Sequence, residues 1–229
     1  MIAVVIALML ASQMPGRDPS TFLRRVAELK LAEARKWDAT SPDGNAKARA
    51  TLAWLLALQN VLKAIPIERA SGPHEAWVKA NDDLIVYSEP AGQWLIRHDL
   101  LVVVHADHAN SAVADEIAWL AVENGLPGEC EGYIPCYASS LNTLEGGYLR
   151  AHPRGAHRRE AFDRIAESLR ISLDDLLKRP DHADFLLVPR DCGDLLEGLT
   201  PLRAAMVRAG SDGTEALALV DRAIAVCPK

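Results

Sequence analysis

Leu126-Pro127-Gly128-Glu129-Cys130-Glu131-Gly132-Tyr133-Ile134-Pro135-Cys136 is the stretch around which the chain is organised. Its Pro and Gly residues interrupt any regular element, yet strong helical patterns run into it and out of it. Two cysteines six positions apart can be brought within bonding reach by a turn over Gly132 to Pro135. The stretch therefore reads as a stapled loop between two helical hairpins. The fold class that follows is all-α: stacked antiparallel helical hairpins, three or four in number.

The chain of 229 residues is 49% hydrophobic, enough for a sizeable core, and only 5% aromatic. Abundant Ala and Leu favour helix over sheet. The formal charge of −6, with no dense basic stripe, argues against nucleic acid or an anionic membrane as the main partner. The one basic cluster, Arg154, His157, Arg158 and Arg159, fits a solvated turn.

Met1 to Ala11 reads MIAVVIALMLA, too short an apolar run to span a bilayer. It reads as a secretory signal sequence over residues 1–13, although no basic residue precedes it and no small-x-small site closes it. The competing reading is a buried N-terminal helix. No cysteine follows the run, so no lipid anchor is indicated. Residues 18–229 then form a single α-helical repeat domain, periplasmic or secreted, with no integral membrane insertion. Four cysteines agree with an oxidising compartment and two disulfides. No CxxC spacing supports a zinc ribbon or a redox site.

Along the chain, Asp18-Pro19 starts a helix whose apolar face is Phe22, Val26 and Leu29, running to about Trp37. Ser41 to Asn45 breaks it. A second helix carries Ala50, Trp54, Leu55, Leu58, Val61, Leu62 and Ile65 and folds back on the first. Pro66 to Pro73 is a linker and Trp77 sits on a short helix. Leu84 to Ile96 has two readings. One is a β-hairpin turning at Glu89 to Gly92; the other is a helix from Gln93 to about Asp107, which the length of the apolar run Trp94 to Val104 favours.

A helix capped at Asn110 or Ser111 carries Val113, Ile117 and Leu120, with Ala114, Ala118 and Ala121, and ends at Asn124-Gly125. Beyond the stapled loop, Leu141, Leu144 and Tyr148 define one helix stopped near His152-Pro153. Phe162, Ile165 and Leu169 mark its partner, Asp174 to Pro189 is mixed, and Pro180-Asp181-His182 is a break. Leu195, Leu199, Leu202 and Met206 form the next helix, ended by Gly210. Asp212-Gly213-Thr214-Glu215 resembles a capping box before Ala216, Val220, Ala223 and Cys227. Antiparallel helices of similar length place the start of one beside the end of the other, so Cys192 pairs with Cys227 and Cys130 with Cys136.

His108 to Ala121 aligns with Pro153 to Ala166 at an offset of 45. Asp115 falls on Glu160, Ile117 on Phe162, Leu120 on Ile165 and Ala121 on Ala166, a period that suggests stacked hairpins. The stretch Tyr148-Leu149-Arg150-Ala151-His152-Pro153-Arg154-Gly155-Ala156-His157-Arg158-Arg159-Glu160-Ala161 resembles the hairpin turn of bacterial envelope tetratricopeptide-like proteins. Relatives of the outer-membrane assembly lipoproteins and of the periplasmic cell-division coordinator often read Tyr-Leu, then Pro-x-Gly, then Glu-Ala. The chain departs from that family in lacking a full consensus repeat and in carrying the cysteine loop. The resemblance implies a TPR-like solenoid, a noncatalytic scaffold that binds peptides or proteins.

Three chemistries compete with that reading. His105 and His108, with Asp115 and Glu116 beyond, share metal-ligand spacing, but they also fit a polar helix end. Glu129 and Glu131 offer oxygen ligands to calcium without the spacing of an EF-hand; a solvated acidic loop is the simpler reading. Ser139 and Ser140 with His152 or His157 point to a hydrolase, but no Gly-x-Ser-x-Gly elbow is present. The sequence assigns no catalytic residue, no metal and no cofactor. The expected function is binding of a protein or peptide of the bacterial envelope, with Tyr133, Ile134, Arg154 and Arg158 as candidate contacts. The alternative is a hydrolase or metal-dependent enzyme with a site of dispersed His and carboxylate residues.

Overall fold

The computed structural model describes residues 19–65, 74–125, 130, 133–178, 189–210 and 214–227. Among these the chain is mostly helical, with one two-stranded antiparallel sheet. The leader over 1–13, the cap at Asp18, the linker Pro66 to Pro73, Glu129, Glu131, the break at Pro180 to His182 and Asp212-Gly213 lie outside the described residues. Contacts group into two compact units, Met1–Ile117 and Ala118–Lys229. The boundary falls within the span 18–229 that the sequence presents as one domain.

In the first unit, α1 (Pro19–Thr40) and α2 (Gly44–Ala64) fold back on each other through a three-residue turn. Asp43 closes that turn by accepting from the Asn45 amide, an N-cap for α2. All seven apolar positions predicted for the second helix, Ala50 through Ile65, are buried. The face predicted for the first helix requires correction. Leu23, Ala27 and Ala34 are the buried stripe, whereas Phe22 and Leu29 are exposed. Large apolar residues dominate the periodicity of this helix, but Leu23 and the small Ala27 and Ala34 form its buried side.

Trp77 sits on a short helix, α3 (Glu75–Lys79). Next come β1 (Ile85–Ser88) and β2 (Gln93–Ile96), paired Ile85 to Ile96 and Tyr87 to Trp94. Rings of Tyr87 and Trp94 lie 5.2 Å apart across the pair, a stabilising cross-strand contact. The helix favoured from Gln93 is thus corrected: it begins at His98, as α4 (His98–Asp107). Gly92 takes φ 59° at the hairpin turn, and Arg97 is extended, so the apolar run Trp94 to Val104 is a strand followed by a helix. Leu95 and Ile96 are buried, and β2 packs against α2. The unit boundary falls inside α5 (Ala114–Glu123), where Ala114, Ile117, Ala118, Leu120 and Ala121 are all buried.

The second unit holds α6 (Ile134–Thr143), α7 (Glu145–Ala151), α8 (Arg158–Lys178), α9 (Pro189–Arg208) and α10 (Glu215–Ala225). The single helix expected through Leu141, Leu144 and Tyr148 is two, because Leu144 leaves helical geometry at ψ −82°. Leu195, Leu199, Leu202 and Met206 of α9 form the centre of the core, with Ile165 and Leu169 of α8 and Val220 and Ala223 of α10. Gly210 ends the α9 segment at φ 79°, the left-handed geometry that glycine adopts freely. Thr214 caps α10 by accepting from the Leu217 amide. Both expected cysteine pairs are at disulfide distance, with Cα atoms 5.5 Å apart for Cys130–Cys136 and for Cys192–Cys227.

Candidate functional site

The site of the second unit begins with the approach of α6 to α9. Gly198 of α9 lies against the backbone of α6, so close that an added Cβ would stand 2.8 Å from the Ala138 carbonyl carbon. Glycine at this position lets the two helices approach to near contact. Beside that contact, along α6 and the middle of α9, they leave an open cleft of about 590 Å³. Tyr133, Pro135, Cys136 and Ser139 line one side, and Asp194, Glu197 and Pro201 the other.

Tyr133 immediately precedes α6 in the segment closed by Cys130–Cys136, whose turn is fixed by two backbone hydrogen bonds. The Tyr133 amide donates to the Cys130 carbonyl and the Cys136 amide to the Tyr133 carbonyl. From there the Tyr133 hydroxyl donates to Asp191, 3.1 Å away, and lies 3.2 Å from Asp194. Partial desolvation, followed by the two carboxylates, pushes its phenol up to about 12. The phenol thus stays a neutral donor throughout the physiological range. The residue is still 43% exposed beside the cleft.

A second polar cluster lies in the same unit. Glu145, at the first position of α7, is buried, and its Oε1 accepts from Arg164 at 3.0 Å. Oε2 has no hydrogen-bond partner among the described residues, and burial raises the carboxyl above its usual range. Arg164 also lies 5.6 Å from the Trp119 ring, a cation–π arrangement. The His157 ring stacks on Trp119 at 4.8 Å, and the His157 amide donates to the Tyr148 hydroxyl.

The sequence-derived candidates are thus dispersed. Tyr133 lies at the cleft, but Ile134 is buried in the core. Arg154 is exposed in the turn before α8, and Arg158 donates to the Ala209 carbonyl near the end of α9. Ser139 lines the cleft, whereas the rings of His152 and His157 lie against Tyr148. Among the described residues no group of three His, Cys, Asp or Glu side chains could hold a metal ion. Asp191, Asp194, Glu197 and Gly198 were not singled out from sequence. Their only signal was a spacing of three between the acids along one helix face, with a glycine inside the helical pattern.

No protein-family model, curated protein or solved structure matches the chain. The functional reading therefore rests on the site. The cleft combines a half-exposed tyrosine, two prolines and carboxylates along one wall.

Proposed function

We propose that this chain is an exported, TPR-like helical-repeat protein whose cleft beside Tyr133 binds a protein or peptide partner of the bacterial envelope. The observation that carries the reading is the immobilised Tyr133. Tyrosine gives large contact area at low conformational cost and dominates many interfaces. Here its position is set by the Cys130–Cys136 closure and by Asp191, so little ordering entropy remains to be lost on binding. Two cysteine pairs at disulfide distance support an oxidising compartment. No helix among the described residues is long and apolar enough to cross a membrane.

The test is affinity capture from an envelope extract with the native chain and with Tyr133→Ala in parallel. A partner retained by the native chain and lost from the variant supports the proposal. Identical recovery by both chains contradicts it.

A further inference from the structure

The first helix presents an apolar ridge that nothing in its own hairpin covers. Phe22, Leu29 and Trp37 are 45, 64 and 41% exposed, and Val26 is half-buried. At 100° per residue, positions 22, 26, 29, 33 and 37 fall within an arc of about 80°. An exposed, mainly apolar stripe of this kind on a helix marks a docking surface. Glu33 sits in the middle of the ridge and Arg25 on its flank.

We infer that this ridge pairs with the same ridge of a second copy of the chain, α1 against α1 in antiparallel orientation. The pattern is self-complementary only in that orientation. Phe22 and Trp37 stand seven and eight residues either side of Leu29. A two-fold axis near Leu29 therefore sets Phe22 opposite Trp37 of the second copy and the two Leu29 side chains together. The same axis brings Arg25 opposite Glu33, twice, once in each direction. A parallel pairing would instead set Glu33 against Glu33, like charges that destabilise each other, and put the two Arg25 side chains on opposite flanks with no carboxylate across from them. In the single chain Glu33 is paired with Lys30 at 2.7 Å and hydrogen-bonded by Trp37; the ion pair is exposed and contributes little, so exchanging Lys30 for Arg25 costs little.

The 22 residues of α1 span about 33 Å, and a single helix pair of that length lies at the small end of specific interfaces, below about 1,200 Å². The dimer should accordingly be weak, with a dissociation constant on the order of micromolar.

Sedimentation velocity of the purified full chain over a wide concentration range tests the inference. A reversible monomer–dimer equilibrium is expected. Leu29→Asp should abolish it while leaving the circular-dichroism spectrum and melting temperature unchanged, since Leu29 is mostly exposed. Arg25→Glu alone should weaken the dimer at least tenfold, and Arg25→Glu with Glu33→Arg should restore it. A monomer at every concentration overturns the inference and leaves the ridge to a different partner. A dimer indifferent to Leu29→Asp, or a charge-exchanged double variant that stays monomeric, overturns it equally.

Discussion

Tyr133 donates its hydroxyl hydrogen bond to Asp191 across 3.1 Å, one residue before Cys192. This contact joins the segment closed by Cys130–Cys136 to the first turn of α9, which Cys192–Cys227 ties to the end of the C-terminal helix. Asp191 also suits its own position, because a carboxylate in a first turn is stabilised by the helix dipole.

The titration of Tyr133 follows from that geometry. Its folded phenol lies near 12, above the unfolded value of about 10. The stabilisation it confers is therefore complete below about pH 10 and lost as pH rises through about 12. In a spectrophotometric titration, Tyr133→Phe should remove a tyrosine component near pH 12 and leave the others in place. Loss of a component near pH 10 instead would contradict the contact.

Cys227→Ser should lower the melting temperature and leave Cys192 alkylatable, with little change at Cys130 and Cys136. The sequence separation of 35 corresponds to about 3.8 kcal/mol on the chain-entropy model, against about 2.4 kcal/mol for the shorter loop. Non-reducing peptide mapping combined with thermal melting checks both the pairing and the order of the two effects.

Gly198→Ala forces α6 and α9 apart, because the new methyl would meet the α6 backbone at 2.8 and 2.9 Å rather than a yielding side chain. Overpacking of this kind costs about 1–3 kcal/mol. Denaturant unfolding should show that loss, whereas Gly193→Ala, where a Cβ meets nothing within 4 Å, should be neutral or slightly stabilising as an alanine within a helix.

Glu145 supplies an acid-side signature. Burial raises its folded pKa, so its contribution to stability is greatest below the unfolded value of about 4.3 and is lost as pH rises through the folded value. Glu145→Gln should therefore stabilise the chain at pH 7 by on the order of 1 kcal/mol and flatten its melting temperature between acid and neutral pH. An unchanged pH dependence would assign the effect to other groups.

The sequence was most informative where large apolar residues repeat at helical spacing and small ones do not compete. Leu195, Leu199, Leu202 and Met206 predicted their own burial, and the hairpin argument pairing Cys192 with Cys227 follows from that helix. It failed on α1, where the apolar residues split into two stripes. Leu23, Ala27 and Ala34 face inward, and periodicity alone cannot say which of two adjacent stripes meets the neighbour. It also merged strand and helix across Arg97, although the polar triplet Arg97-His98-Asp99 interrupts the apolar positions just where the backbone changes from strand to helix. Leu144 is a similar case: the break falls on an apolar residue at helical spacing, and the Gly146-Gly147 pair that marks it lies inside the next helix rather than at the break. The cleft was less legible still. Tyr133 stood out by its place in the cysteine loop, but Asp191, Asp194 and Gly198 become meaningful only once α9 lies across α6, a contact between residues about sixty positions apart.

The most direct measurement of the partner-binding account is site-specific photo-cross-linking in the intact envelope, with a benzophenone side chain placed at Ser139 in the cleft and, as a control, at the exposed Asp163 of α8. The account predicts a discrete adduct from position 139 that Tyr133→Ala abolishes and that position 163 does not form. No adduct from position 139, or the same adducts from both positions irrespective of Tyr133, would contradict it.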